Sequence, residues 1–490
     1  MAPRTGACPL NGSPAGRGPS SQRDDGPAGL KAPDPAPEAP LKAPDQTRGA
    51  PWTFAFLLAG ALAGTALLGF SSLVNAVGMT LQIGFFVFFA RHLAFAVAAL
   101  DSAPADLEAP LIDTGYEPPV TVLVACKNEE AVVSVLVESL LRLDYPADRL
   151  QLVVVDDGST DRTGALLDTA ATADPRLACL HRPPGAGGGK SGALNAALAL
   201  ATGEIIVVFD ADHHPRADVV RRLVRHFANP AVAAAQGRCE IANPHVSPLA
   251  RLIAIDYLAG YLVNEYGRQA LFGLPAYGGA NCAVRASTLR ELGGWNPASV
   301  TEDTDLTLRV HLAGWRVRYD VTAVDAEEAV STVSRYWRQR HRWARGHQQA
   351  WRDYRRAVWQ TRHLSLPQKV ETTMFLLAFH LPVLAGLGLL VLGLWLAGVA
   401  VPPDPLRLFL LWTLLFLGPL LELGAGLLVS RADRREAFAL AWFLPLFFVS
   451  ISLCCAAWVS GVAGRRYAWA KTARTGDGTA PGARVTGAGA

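Results

Sequence analysis

Four clusters of reactive side chains follow one another between Val120 and Gly346: Asp156-Asp157, Asp210-Ala211-Asp212, Glu302-Asp303 and Gln339-Arg340-His341-Arg342-Trp343. Carboxylates that converge repel one another, so they need a cation to offset their charge. Donors that are all oxygen and sit on loops suit Mg²⁺ or Mn²⁺ better than zinc, which makes Asp210 and Asp212 the candidate metal ligands. His213 extends that cluster, although packing is the commoner fate of such a histidine. A carboxylate within hydrogen-bond reach of a hydroxyl can take its proton as the oxygen attacks, and Glu302 and Asp303 offer two such groups. Arg342 can stabilise an anion that develops during reaction. Each cluster also has a plainer reading. Asp-Gly-Ser-Thr is good turn chemistry, Asp-Ala-Asp suits a surface turn, and Thr301 and Asp303 suit the N-cap of a helix over Asp305 to Ala313.

The elements that would carry these residues decide between the readings. Short branched runs (VTVLVAC from Val120, then LQLVVVDD and EIIVVFDAD) alternate with helical stretches, the pattern of a mostly parallel α/β sheet covered on both faces. Ligands of such sheets bind beyond the carboxyl ends of the strands. Lys127-Asn128-Glu129-Glu130 follows the first run, Asp156-Asp157 the second, and Asp210 and Asp212 a later one. Three strand ends bearing carboxylates then share one crevice, which turn chemistry alone does not require. Gly185 to Ser191 imitates a phosphate loop, but the pattern needs glycine where Pro184 stands. A loop between strand ends still brings Lys190 to a diphosphate.

Around this region the chain is apolar. Hydrophobic residues make up 51% of the 490 and charged ones 18%, concentrated so that five uncharged or nearly uncharged blocks stand out. Trp52 to Leu73 and Val74 to Ala90 read as a membrane hairpin within 51–100; Thr372 to Ala400, Leu406 to Ser430 and Phe438 to Val462 read as three more spans within 370–464. Residues 1–50, rich in Pro, Gly and Ala, have too few branched and aromatic side chains to build a core, and 465–490 reads as a flexible tail. Arg91, the basic run Arg335 to Lys369 and Arg431 to Arg435 fall on one side of these spans, which makes that side the cytoplasm and the protein a multi-pass plasma-membrane one. The last span fits least well, because Arg465, Arg466 and Lys471 follow it. Seven cysteines without metal spacing read as free thiols in a reducing compartment. The segment 335–369, with four tryptophans, reads as an amphipathic helix at the membrane interface, and its place beside a span argues against nucleic acid. His380 and Glu422 lie inside apolar blocks, where ionisable groups usually face a partner or a polar path, and in adjacent third and fourth spans they would pair or line such a path.

Taken together, Cys126-Lys-Asn-Glu129, Val155-Asp-Asp-Gly-Ser-Thr160, Gly189-Lys190-Ser-Gly-Ala-Leu-Asn195, Asp210-Ala-Asp212, Thr301-Glu-Asp303 and Gln339-x-x-Arg342-Trp343 resemble the family 2 glycosyltransferases. The resemblance is to their membrane-integrated branch of cellulose, hyaluronan, chitin-oligosaccharide and poly-N-acetylglucosamine synthases, and it covers about Trp52 to Val462. It implies a Rossmann-like GT-A domain over 118–334 that binds a nucleotide-diphospho-sugar, usually a UDP-sugar, with Mg²⁺ or Mn²⁺. It implies donor contacts from Glu129, Asp156, Asp157, Lys190 and Asp210, metal coordination by Asp212 with Asp210, and Asp303 as general base beside Glu302. Gln339, Arg342 and Trp343 would meet the diphosphate and the acceptor. The product implied is a β-linked polysaccharide made processively and exported, with accessory export subunits as partners. A non-processive enzyme acting on a lipid acceptor is the alternative. Tyr277-Gly-Gly-Ala-Asn281 departs from the Phe-Phe-Cys-Gly-Ser loop of cellulose synthases and leaves the sugar open.

Overall fold

The computed structural model describes residues 52–112, 114–401 and 405–464; the two expected tails, 1–50 and 465–490, lie outside them. Its centre is a sheet of eight strands: β1 (Val120–Cys126), β2 (Leu150–Asp156), β3 (Leu177–His181), β4 (Ile205–Asp210), β5 (His214–Pro215), β6 (Val232–Ile241), β7 (Cys282–Arg285) and β8 (Arg316–Glu327). In space the order is β3-β2-β1-β4-β7-β6-β8-β5. The expected parallel core is present: β1 pairs in parallel with β2 and β4, β2 with β3, and β6 with β8. Only β7 and β5 run against their neighbours.

Alternation along these strands divides the core into two layers. Val122, Val124, Leu152, Val154 and Val207 pack into one, and Leu123, Val153, Val155, Ile206 and Val208 into the other, as a period of two residues requires. All are buried, which explains why the runs carry almost no polar residue. The chain leaves β1 toward β2 and β3, then returns to β4 on the other side of β1, so a switch point opens between β1 and β4. In register, Cys126 stands opposite Asp156 and Ala125 opposite Asp210. Both acidic strand ends therefore flank the end of β1, where ligands of such sheets bind.

The apolar blocks are built differently from the expected five spans. The first break falls at Gly69 (φ 76°), where helix Trp52–Leu68 gives way to a helix of 38 residues, Phe70–Leu107. That helix continues past Ala90 and packs Phe95, Ala96, Ala99 and Ala103 against the globular part. The block from Thr372 is split into Leu366–Leu377 and Leu381–Leu396, bent by 67°. Pro382 at the start of the second helix explains the break, since proline lacks the N–H that would continue the first. Among the described residues two helices, Phe70–Leu107 and Arg434–Val462, are long and apolar enough to cross a bilayer, or three if the bent pair is one span.

Where these helices meet the globular part there is a buried ionic network. The Arg91 guanidinium donates to both oxygens of Glu371 (2.9 and 2.8 Å) and to Asn264 Oδ1 (3.1 Å). Arg268 Nε lies 3.2 Å from Glu371 and Nη1 3.3 Å from Glu265. Asn264 donates to Glu422 Oε2 (2.8 Å), whose other oxygen lies 2.6 Å from His92 Nδ1. The expected pairing of His380 with Glu422 is therefore wrong. Helix Pro405–Val429 packs along Phe70–Leu107, which brings His92 to Glu422, while His380 sits at the bend and meets the Trp351 ring edge-on.

Glu371 is 1% exposed and Arg268 2%, so neither charge can fall back on water. Glu371→Ala leaves two buried guanidinium groups without their carboxylate and is expected to destabilise the protein by about 3–5 kcal/mol. Thermal unfolding in detergent micelles is the measurement, and the expected result is a midpoint lower by several degrees than that of wild type.

Candidate active site

The cleft above β1 and β4 holds about 300 Å³ and is lined by Glu129, Asp157, Lys190, Asp210, Asp212, Glu302, Asp303, Gln339, Arg342 and Trp343. Of the residues singled out in the sequence, the structure brings all of these together and leaves out Asp156. The Asp156 carboxylate is turned into its own loop, accepting from Ser159 N–H (2.9 Å) and meeting His181 Nδ1 (3.1 Å). Burial alone would raise its pKa, but these two partners hold it below the ordinary carboxylate value. Its neighbour Asp157 faces the cleft and accepts from Arg182 Nη1 (2.6 Å), with Lys127 Nζ 3.6 Å away.

Lys190 organises the floor. It reaches the cleft because Gly185, Gly187, Gly188 and Gly189 all take positive φ, a path that side-chain-bearing residues rarely follow. Its ammonium lies 2.5 Å from Asp210 Oδ1 and 3.6 Å from Glu302 Oε1, and donates to the carbonyl of Gly279 (2.9 Å). Burial would lower its pKa, yet the two carboxylates outweigh that and raise it, so it stays charged.

Asp303 stands in the first turn of helix Glu302–Leu312, which begins three residues before the expected Asp305. Thr301 is the N-cap by position, but its hydroxyl makes no capping bond; Asp303 Oδ1 instead accepts from Thr304 N–H (2.6 Å). Removal from water, then the neighbouring Glu302, push the Asp303 carboxyl up to about 6, while Thr304 N–H, Lys190 and Arg342 hold it down. Gly279 (φ 81°) lets the opposing loop come close, since a Cβ there would lie 3.2 Å from Asp303 Oδ2. That loop is fixed from both sides: Ala276 N–H donates to Glu265 (2.7 Å), Tyr277 N–H to Thr307 Oγ1 (2.9 Å) and Gly278 N–H to Gln236 Oε1 (2.5 Å).

The fourth wall is the helix Val333–Gln360, with Gln339, Arg342, Trp343 and His347 toward the cleft. It does not simply lie on a bilayer. Gln348 on its opposite side donates to the carbonyls of Phe379, at the bend between two apolar helices, and of Cys454 in helix Phe443–Val462, both at 3.3 Å. Tyr354 OH donates to Asp305 Oδ1 (2.6 Å) and the Gln349 side chain bonds Val300 N–H and the Ala298 carbonyl. Gly346 rests directly on Thr301, with no room for a Cβ. His347 lies 3.4 Å from Thr304 Oγ1, and burial depresses its pKa to about 3, so it is neutral.

Several lining residues escaped the sequence reading. Tyr257, Tyr261, Cys239 and Glu327 close the far end. Tyr257 and Tyr261, four apart on a continuous helical path, carried a usable signal; Glu327 at the end of β8 carried none, because β8 only becomes a neighbour through the sheet. His213 lines the cleft, but both of its ring nitrogens are taken up by carboxylates. Its Nδ1 lies 2.5 Å from Asp325 and its Nε2 3.3 Å from Glu327, and although burial opposes its charge, the two carboxylates raise its pKa well above the usual value. It thereby fixes the strand end next to Asp212.

Asp210 and Asp212 offer only oxygen, and Asp212, 4% exposed, accepts from Glu328 N–H (3.4 Å). That donor set fits a hard divalent cation of the Mg²⁺ or Mn²⁺ kind.

Gly346→Ala would force the wall helix away from Thr301 and loosen the turn that carries Asp303. Overpacking of this kind costs about 1–3 kcal/mol. A lowered melting midpoint together with a larger loss in turnover than in donor binding is the expected pair of results, read by thermal unfolding and by steady-state kinetics.

Residues 118–346 match the family model described as "Glycosyltransferase like family 2". A "Beta-monoglucosyldiacylglycerol synthase" of Synechocystis sp. is 40% identical over 294 residues, 59% of this chain and 61% of that protein. An "N-acetylglucosaminyltransferase" of Rhizobium leguminosarum bv. viciae is 31% identical over 355 residues, 69% of this chain and 78% of that one. The chain spans about three-fifths of the length of the first of these relatives. Among solved structures, the mannosyltransferase PcManGT from Pyrobaculum calidifontis, in complex with GDP-Man and Mn²⁺, superposes with a TM-score of 0.56 at 23% identity. It covers 80% of this chain and all of that one, which supports the GT-A fold.

Proposed function

The chain belongs to glycosyltransferase family 2, and on that footing we propose that it is a membrane-associated inverting glycosyltransferase. Its donor is a nucleotide-diphospho-sugar, a UDP-sugar in the first instance, and its cleft faces the cytoplasm. The observation that carries this reading is one half-buried carboxylate of raised pKa, Asp303, sharing a single cleft with Lys190 and Arg342.

In this reading Asp157 and Glu129 hold the nucleoside end, with Asp156 keeping the turn in shape behind them. Asp212 and Asp210 would hold a divalent cation, which when bound offsets charge on the diphosphate. The acceptor hydroxyl gives its proton to Asp303 as its oxygen bonds to the anomeric carbon. The bond from that carbon to the phosphate oxygen breaks, and the nucleoside diphosphate leaves with the electron pair. Lys190 and Arg342 lie where the departing negative charge grows. A single displacement turns an α-linked donor into a β-linked product. Trp343, Tyr257 and Tyr261 offer flat apolar faces for a sugar ring.

For the acceptor, we favour a lipid hydroxyl such as that of a diacylglycerol. The named function of the 40% identical relative supports it. The second reading, extension of a β-linked saccharide, is supported by the relative named for N-acetylglucosamine transfer, 78% of which this chain covers. Incubation of the purified protein with a panel of UDP-sugars, Mg²⁺ or Mn²⁺ and diacylglycerol vesicles separates the two. One or two sugars on lipid is the expected product; a ladder of longer saccharides would overturn the lipid reading.

Two further outcomes follow from Asp303. Asp303→Asn is expected to cut transfer by at least about a thousandfold, with donor binding retained in a calorimetric titration. Because the base works only when ionised, kcat/KM is expected to be flat above about pH 6 and to fall tenfold per unit below it. Lys190 holds that pKa down, so in Lys190→Gln the acid limb of the residual activity should move to higher pH.

A further inference from the structure

Behind the Asp156 turn, outside the cleft, three side chains of different chemistry converge. Cys179 and His181 stand two apart on β3 and therefore on one face, and Asp168 comes from helix Thr163–Ala173, which packs beside that strand. His181 Nε2 lies 2.9 Å from Asp168 Oδ1 and 3.4 Å from Cys179 Sγ, and the three atoms all lie within 4.8 Å of one another. The other ring nitrogen, Nδ1, lies 3.1 Å from Asp156 Oδ2. When Nδ1 carries the proton and donates it to that carboxylate, Nε2 offers a lone pair toward the thiol and Asp168. This is the carboxylate–histidine arrangement that orients metal ligands.

The spacing agrees with tetrahedral coordination. Bond lengths of about 2.0–2.1 Å to nitrogen and 2.3 Å to sulfur put those two atoms about 3.5 Å apart. The observed separation is 3.4 Å. Sulfur and imidazole donors select zinc-like ions over Mg²⁺, so the preference is opposite to that of Asp210 and Asp212.

We propose that Asp168, Cys179 and His181 form a second metal site, for a borderline-soft divalent cation of the Zn²⁺ class, with Asp156 orienting the histidine. On binding, the metal–sulfur bond replaces the S–H bond and the proton passes to solvent. The remaining coordination positions stay open to water on the exposed side of Asp168. Without the ion, an imidazolium at His181 that donates Nδ1–H to Asp156 and Nε2–H to Asp168 occupies the same geometry. The position matters because Arg182, the next residue, donates its backbone N–H to the Asp156 carbonyl (2.9 Å) and its side chain to Asp157. An ion at His181 thus sits directly behind the turn that lines the cleft.

The test is a Co²⁺ titration of the full chain in detergent, with excess Mg²⁺ present to occupy oxygen-donor sites. Expected are intense visible bands of four-coordinate Co²⁺ and a thiolate charge-transfer band, both displaced by Zn²⁺. Cys179→Ser should abolish the charge-transfer band, and Asp168→Asn should weaken binding by about tenfold or more. Cys179 and Asp168 lie outside the cleft lining, so a circular dichroism spectrum like that of wild type shows that either variant has folded. A charge-transfer band that survives in Cys179→Ser would place the metal at another thiol, such as Cys126 or Cys239 in the cleft, and overturn the proposal. So would only the pale spectrum of six-coordinate Co²⁺, or no binding.

Discussion

The cleft depends on one ammonium group. Lys190 lies between Asp210 and Glu302 and ties both to the backbone of the Gly279 loop, so the strand end, the helix start and the loop meet at a single charge. Without it the carboxylates would repel one another in a site largely withdrawn from water, where an unpaired charge costs most. The same charge acts on Asp303 through space and limits how far burial can raise its pKa. The four positive-φ glycines before Lys190 are what the chain needs to deliver a long side chain to that point. Their arrangement follows from the position of the ammonium and not from a phosphate loop.

A second cation cluster does similar work at the other end of the opposing loop. Arg91 and Arg268 share Glu371, and Arg268 reaches Glu265, whose other oxygen accepts Ala276 N–H. From Ala276 it is three residues to Gly279. Ionic contacts therefore run from the long apolar helix Phe70–Leu107 to the loop facing Asp303. They pass through a seven-residue π-helical stretch, Ala259–Glu265, a form that occurs mostly as single turns and often near functional sites. The stretch holds Tyr261 in the cleft while turning Asn264 and Glu265 into the network, two demands that a regular helix of the same sequence meets less easily.

The sheet, its switch point and the acidic strand ends were legible because they rest on local signals: branched runs, turn residues after them, and a known rule for where ligands bind. Asp156 and Asp157 show where such signals stop. Adjacent carboxylates look equivalent in sequence, and only the neighbouring β3, through His181 and Arg182, turns one inward and leaves the other in the cleft. The same holds for Glu422. Its burial was readable from the apolar run around it, but its partner depended on which helices pack together, and His92 rather than His380 turned out to be opposite. The five apolar blocks were readable as apolar but the breaks within them were not, because Pro382 and Gly69 set those breaks and the globular part covers the end of the long helix.

The helix Val333–Gln360 explains why such a cleft is compatible with a membrane. One side presents Gln339, Arg342 and Trp343, and the other is bonded through Gln348 to carbonyls of one apolar helix and of the bend between two others. Gly346 and Tyr354 join it to the turn and helix that carry Asp303. Asp303, the cationic wall and the apolar helices are therefore joined by direct contacts, and under the proposed reading an acceptor arriving from the lipid side would meet a site already assembled. Catalytic groups gain most from being fixed before the substrate arrives, since their reorganisation then costs nothing at the moment of reaction. A loose helix on the bilayer surface would have to recover that ordering on every turnover, whereas burial of its polar face between two structures secures it in the fold.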